Sequence, residues 1–132
     1  MAGKVERRIY DVNEFFEATW KASTGNDMVE KLDEHAYLVR LRAIMADGYN
    51  VSIQAAYGDY CKPRLTKTSG YTEVELGYPS DEDELINPYA EDPDDYTETV
   101  YGYVPVEVVN ELIKKHGGIR YAGYTFLDLE PR

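Results

Sequence analysis

The chain reads as an α+β fold: a mainly antiparallel sheet with helices packed on one face, in the order α-α-β-β-β-α-β. Three observations carry that reading. Helical spacing of apolar residues fills the first third and returns near the end, two-residue alternation fills the middle, and turn residues separate the segments. At 132 residues the length is that of one domain, 1–132, around one core.

Asp11 and Glu14 make a capping-box pattern ahead of Phe15, Phe16, Thr19 and Trp20, the apolar face of a first helix that Ser23-Thr24-Gly25-Asn26 ends. Asp27 and Glu30 repeat the pattern. Val29, Leu32, Ala36, Val39 and Ala43 follow at helical spacing up to Asp47-Gly48, which predicts a second helix. Tyr37, Val39 and Leu41 also alternate with Leu38, Arg40 and Arg42, so a strand over 37–45 turning at Asp47-Gly48 is the alternative.

Beyond Gly48 the period becomes two. Val51, Ile53, Ala55 and Tyr57 alternate with Ser52, Gln54 and Ala56, as in a strand with its first set on the core. Residues 59–70 form a polar loop. Residues 71–78 alternate again, Thr72, Val74 and Leu76 against Glu73 and Glu75, until Pro79 ends the strand. An acidic, proline-punctuated loop over 79–96 leads to a third strand at 97–104. Pro105 then opens a helix carrying Val106, Val109, Leu112 and Ile113, with Lys114, Lys115 and His116 at its negative end before Gly117-Gly118. Residues 119–129 close the chain as a last strand.

The net charge of −11 is confined to one place. Residues 71–98 hold eleven acids and no Lys or Arg, whereas the remaining 104 residues hold 14 of each sign. A local acidic surface follows, rather than a general solubilising charge. It argues against direct binding of nucleic acid, which needs a cationic face. The inverse fits better: B-DNA presents about one negative charge per 1.7 Å, so eleven carboxylates carry the charge of about five or six base pairs. On this reading Glu73, Glu75, Asp81, Glu82, Asp83, Glu84, Asp92, Asp94 and Asp95 supply charge to a partner with a basic nucleic-acid-binding surface, and Tyr78, Tyr89 and Tyr96 supply contact area. The plainer alternative is a solvated acidic loop.

Thirteen tyrosines stand against three phenylalanines and one tryptophan, a composition that suits binding surfaces and half-buried strands alike. The loop at 59–70 carries Lys62, Arg64 and Lys67, bracketed by Tyr57, Tyr60 and Tyr71. Tyr57, Tyr60 and Arg64 are therefore an alternative ligand site, with Arg64 on the phosphate and the rings on the base of a small nucleotide. The competing reading pairs Arg64 internally with the acidic segment.

Little points to catalysis or to a cofactor. The chain has no phosphate-binding glycine loop, HExxH, GxSxG or CxxC, and His35 and His116 read as surface or capping residues. Cys61 is the single cysteine, so neither an intramolecular disulfide nor a zinc site of recognised spacing is expected. A calcium loop starting at Asp81 fails, with Leu85 at the fifth position, Ile86 at the glycine and Asp92 at the bidentate glutamate. No run approaches the roughly 18 to 20 apolar residues of a membrane helix, and residues 1–14 lack a signal-peptide core, so a cytoplasmic protein without membrane contact is expected.

VSIQAAYGDYCKPR at 51–64, YAEDPDD at 89–95 and TVYGYVPVEVVNELIKKHGGI at 99–119 resemble small uncharacterised phage and prophage proteins of Gram-positive bacteria, over about a third of the chain. The resemblance implies a mobile-element setting, inside an infected bacterial cell. By analogy with small acidic phage proteins, it leads to the expectation of a counter-defence protein, anti-CRISPR-like, that occupies a bacterial immune effector as a DNA mimic. A sponge that sequesters a nucleotide signal, and a virion or replication accessory protein, are the alternatives.

Overall fold

The computed structural model describes residues 4–6, 8–25, 32–123, 125–126 and 129–131. Its elements are β1 (Lys4–Glu6), α1 (Val12–Thr24), β2 (Ala43–Met45), β3 (Asn50–Gln54), β4 (Glu73–Gly77), a 3-10 turn (Asn87–Tyr89), β5 (Val100–Pro105), α2 (Val106–Lys115), β6 (Ile119–Ala122), β7 (Thr125–Phe126) and β8 (Leu129–Pro131). The fold is α+β. One sheet runs β5-β4-β3-β2-β6-β7 with antiparallel pairing throughout, and β1 pairs with β8 separately.

Local chemistry sets the helices. The Asp11 carboxylate accepts the Glu14 amide at 2.9 Å, satisfying an N-terminal donor of α1, and Gly25 ends the helix in the left-handed region at φ 71°. Asn110 on α2 accepts the Val12 amide and donates to Asp11, which ties the two helices together. Phe15, Phe16 and Trp20 from α1 and Val109, Leu112 and Ile113 from α2 are buried. Most of them meet Val51, Ile53, Val74, Leu76, Tyr101 and Val104 of the sheet in one core. Their strand neighbours Ser52, Gln54, Glu73 and Glu75 are only partly covered, as alternation requires.

Three sequence expectations are corrected. Asp27, Val29 and Glu30 lie outside the described residues, but 32–42 is not helical and Ala43–Met45 is a strand that pairs with β3 through a turn at 46–49. The strand alternative therefore holds at its end, and the predicted second helix does not. Its spacing misled because Val39 is 81% exposed while Arg40, at 2%, is buried. Tyr57, expected on the core face, is exposed and Ala56 is buried, since the chain leaves β3 after Gln54. The single last strand expected at 119–129 is instead divided into β6, β7 and β8.

Arg40 explains the order of the irregular residues. Its guanidinium lies 4.1 Å from the centre of the Phe16 ring and donates to the carbonyls of Ala55 at 3.0 Å, Thr68 at 3.3 Å and Lys67. Desolvation lowers its pKa, and the charge is held by carbonyl dipoles and the Tyr71 hydroxyl. The Gln54 side chain completes the seam, accepting the Arg40 amide at 2.7 Å and donating to its carbonyl at 2.9 Å. Segment 34–42 is thereby fastened along the loop that follows β3.

Candidate functional site

The acidic segment leaves β4 at Pro79, which is buried, and is tied at once to the β2–β3 hairpin by the Ser80 amide on the Asn50 carbonyl at 2.8 Å. Asp83 then turns inward. Its carboxylate is 3% exposed and meets Lys115 Nζ at 3.0 Å and His116 Nε2 at 2.9 Å, and it accepts the Leu85 amide. His116 Nδ1 reaches Asp47 at 2.6 Å, and its ring stacks on Tyr49 at 4.0 Å and 10°. Burial alone would raise the Asp83 pKa, but the Leu85 amide, His116 and Lys115 together hold it below the ordinary carboxylate value.

Downstream, Ile86 is fully buried, Ala90 bridges to Tyr101, and the Glu91 amide donates to the Val100 carbonyl at 2.9 Å. The segment thus covers the open edge of β5, which would otherwise present unpaired backbone groups. The Asp92 amide donates to Thr99 Oγ1 and the Asp94 amide to the Asp92 carboxylate.

This path divides the expected acidic residues into two sets. Asp81, Glu82, Glu84, Asp92, Asp94 and Asp95, joined by Glu91 and Glu98, are exposed, and among the described residues no Lys or Arg forms an ion pair with them. Asp83, Glu73 and Glu75 do internal work instead. Glu73 pairs with Lys62 at 3.4 Å, and Glu75 accepts the Tyr60 amide at 3.1 Å. Tyr89 packs half-buried on the core, Tyr96 is half-buried, and Tyr78 is 52% exposed.

The loop after β3 builds a second surface. The Tyr103 amide donates to the Tyr60 carbonyl at 2.9 Å, where β5 carries one extra residue opposite Glu75 and Tyr103 takes φ 52°. Gly102 permits the approach, since a Cβ there would lie 3.2 Å from that of Tyr60. Arg64 sits 5.5 Å from the Tyr60 ring and donates Nε to the Asp59 carbonyl at 2.9 Å and Nη2 to the Gly58 carbonyl at 3.3 Å. It therefore does not pair with the acidic segment. Tyr37, Tyr57, Gly58 and Arg64 line an open cleft of about 290 Å³. Tyr71 is no part of it: the ring is buried and its hydroxyl donates to the Leu65 carbonyl at 2.7 Å.

Asp59 belongs to this loop, with its Oδ2 buried and unbonded among the described residues. Desolvation, and then the charge of Glu75, push its pKa up to about 6 against the pull of Arg40 and Arg64. Sequence reasoning missed Arg40, Tyr37, Asp59 and the bridging role of His116. The partners of His116 lie 33 and 69 residues away, so no local spacing encodes them.

Among the described residues no helix is long and apolar enough to cross a membrane. No family model, curated protein or solved structure matches the chain.

Proposed function

We propose that the chain is a binding protein that docks its acidic segment onto the cationic, nucleic-acid-binding surface of a partner protein and so keeps nucleic acid away. The observation that carries this reading is the run of exposed carboxylates between Asp81 and Glu98, Asp83 apart, that have no cationic partner among the described residues, on a segment anchored at Ser80, Asp83, Ala90 and Asp92. Anchoring matters because an ordered charge array loses less conformational entropy on docking than a free chain does. Lys115 partly neutralises Asp83, so the field belongs to the outer residues. The resemblance to phage and prophage proteins supports a bacterial immune effector as the partner, which makes the activity counter-defence by DNA mimicry.

Direct binding to a panel of purified RNA-guided nucleases and restriction endonucleases tests the proposal. Tight binding to a member should fall steeply between about 50 and 200 mM salt and should compete with duplex DNA. Binding that is indifferent to salt, or that leaves the duplex in place, would count against mimicry.

A further inference from the structure

We propose that the cleft between Tyr37 and Tyr57, with Arg64 at its edge, is a stacking site for a small nucleotide, separate from the acidic surface. The first ground is the exposure of rings that are nonetheless held in place. Tyr37 is 83% exposed and Tyr57 is 39% exposed, with ring centres 5.7 Å apart. His35 meets the Tyr57 ring edge-on at 5.0 Å.

Backbone bonds hold this arrangement. Thr66 Oγ1 donates to the Ala36 carbonyl, the Thr66 amide to the Glu34 carbonyl at 2.8 Å, and the Tyr57 amide to Thr66 Oγ1 at 3.0 Å. One threonine thus fastens both ring-bearing segments. Solvent-facing rings whose backbones are already ordered lose little entropy when a planar ligand stacks on them.

The second ground is the way Arg64 is used. Nε and one Nη2 proton are committed to the Asp59 and Gly58 carbonyls, so one edge of the fork is locked against the turn. Nη1 and the second Nη2 proton have no acceptor among the described residues, and Arg64 lines the cleft. Two parallel N–H groups on a fixed plane fit two oxygens of one phosphate. Gly58 also lines the cleft, at φ +92°, a backbone conformation that side-chain-bearing residues rarely adopt.

Together these features select the ligand class. Two exposed rings tilted at 51° to each other, either of which offers a face to a base, a single forked cation, and a volume of about 290 Å³ at the lower limit of ordinary ligand pockets suit a base bearing one phosphate. Among the described residues no carboxylate lines the cleft. A long strand is disfavoured, because its further phosphates would meet a chain of net charge −11.

Calorimetric titration of the full chain with adenosine monophosphate, cyclic mononucleotides, cyclic dinucleotides, adenosine, inorganic phosphate and a single-stranded oligonucleotide tests the site. Saturable binding of at least one free nucleotide is expected, about tenfold or more tighter than adenosine or phosphate alone. Tyr37→Ala should weaken it about tenfold, and Arg64→Gln ten- to a hundred-fold. Tyr37 is so exposed that its replacement leaves the fold intact, which keeps the test decisive if Arg64→Gln loosens the loop. No binding of any free nucleotide, binding of the oligonucleotide alone, or nucleotide binding unchanged by Tyr37→Ala would each overturn the proposal.

Discussion

The loop between β3 and β4 carries Lys62, Arg64 and Lys67, the connection between β4 and β5 carries the acids, and each is pinned by one buried charge of its own sign. Arg40 holds the basic loop through neutral carbonyls and a tyrosine hydroxyl. Asp83 holds the acidic connection through Lys115 and His116, which are themselves ionisable. The two solutions differ in what can undo them. Carbonyl dipoles do not titrate, so the Arg40 seam feels pH only through the charge of nearby Asp59, whereas the Asp83 carboxylate that holds the acidic connection loses its charge in acid.

Removing the pin of the basic loop has the largest expected effect. Arg40→Met strands the carbonyls of Ala55, Lys67 and Thr68 and should cost on the order of 4 kcal/mol in urea unfolding, somewhat more at pH 9, where Asp59 is ionised, than at pH 5. A loss confined to pH 9 would mean that the charge of Asp59, rather than the carbonyls, is what Arg40 answers. Leu112→Ala, in the core beneath both loops, should cost about 3 kcal/mol and sets the scale for a change with no electrostatic content.

Asp83→Asn sharpens the contrast. It should cost about 1 to 3 kcal/mol at neutral pH, since Lys115 and His116 then face an amide. The folded-state pKa of Asp83 lies below the unfolded value, so its contribution is present above about pH 4 and is lost as pH falls through the lower folded value. Variant and wild type should therefore converge in acid, and a constant difference down to pH 2 would refute the assignment. Asp59 has the opposite sign. Raised to about 6, its favourable contribution is full below about pH 4 and is lost as pH rises through 6, so the wild type gains stability on mild acidification. Asp59→Asn should flatten that gain and be slightly more stable at pH 7, as melting curves at pH 5 and pH 7 would show.

Much of the fold was legible where local chemistry and period agree. Asp11 and Glu14 cap α1, Val74 and Leu76 alternate with Glu73 and Glu75 in β4, and Val109, Leu112 and Ile113 form the buried stripe of α2. Residues 32–45 were misread because two assumptions of pattern analysis fail there together. Arg40 is inside, with carbonyls as partners, while Tyr37 and Val39 are outside. The location of the charge was plain from composition. Which acids stay free was not, because Asp83, Glu73 and Glu75 meet their partners only through tertiary pairing.

The central claim is that the exposed acids serve binding while the buried one serves the fold. A variant with Asp92→Asn, Asp94→Asn, Asp95→Asn and Glu98→Gln tests it most directly, assayed by urea unfolding beside displacement of duplex DNA from a bound effector at about 50 mM salt. All four side chains are exposed, and none forms an ion pair among the described residues. Unfolding should be unchanged or slightly harder, because like charges are removed, while displacement weakens about tenfold or more. Displacement as strong as that of the wild type, with folding intact, would contradict the account.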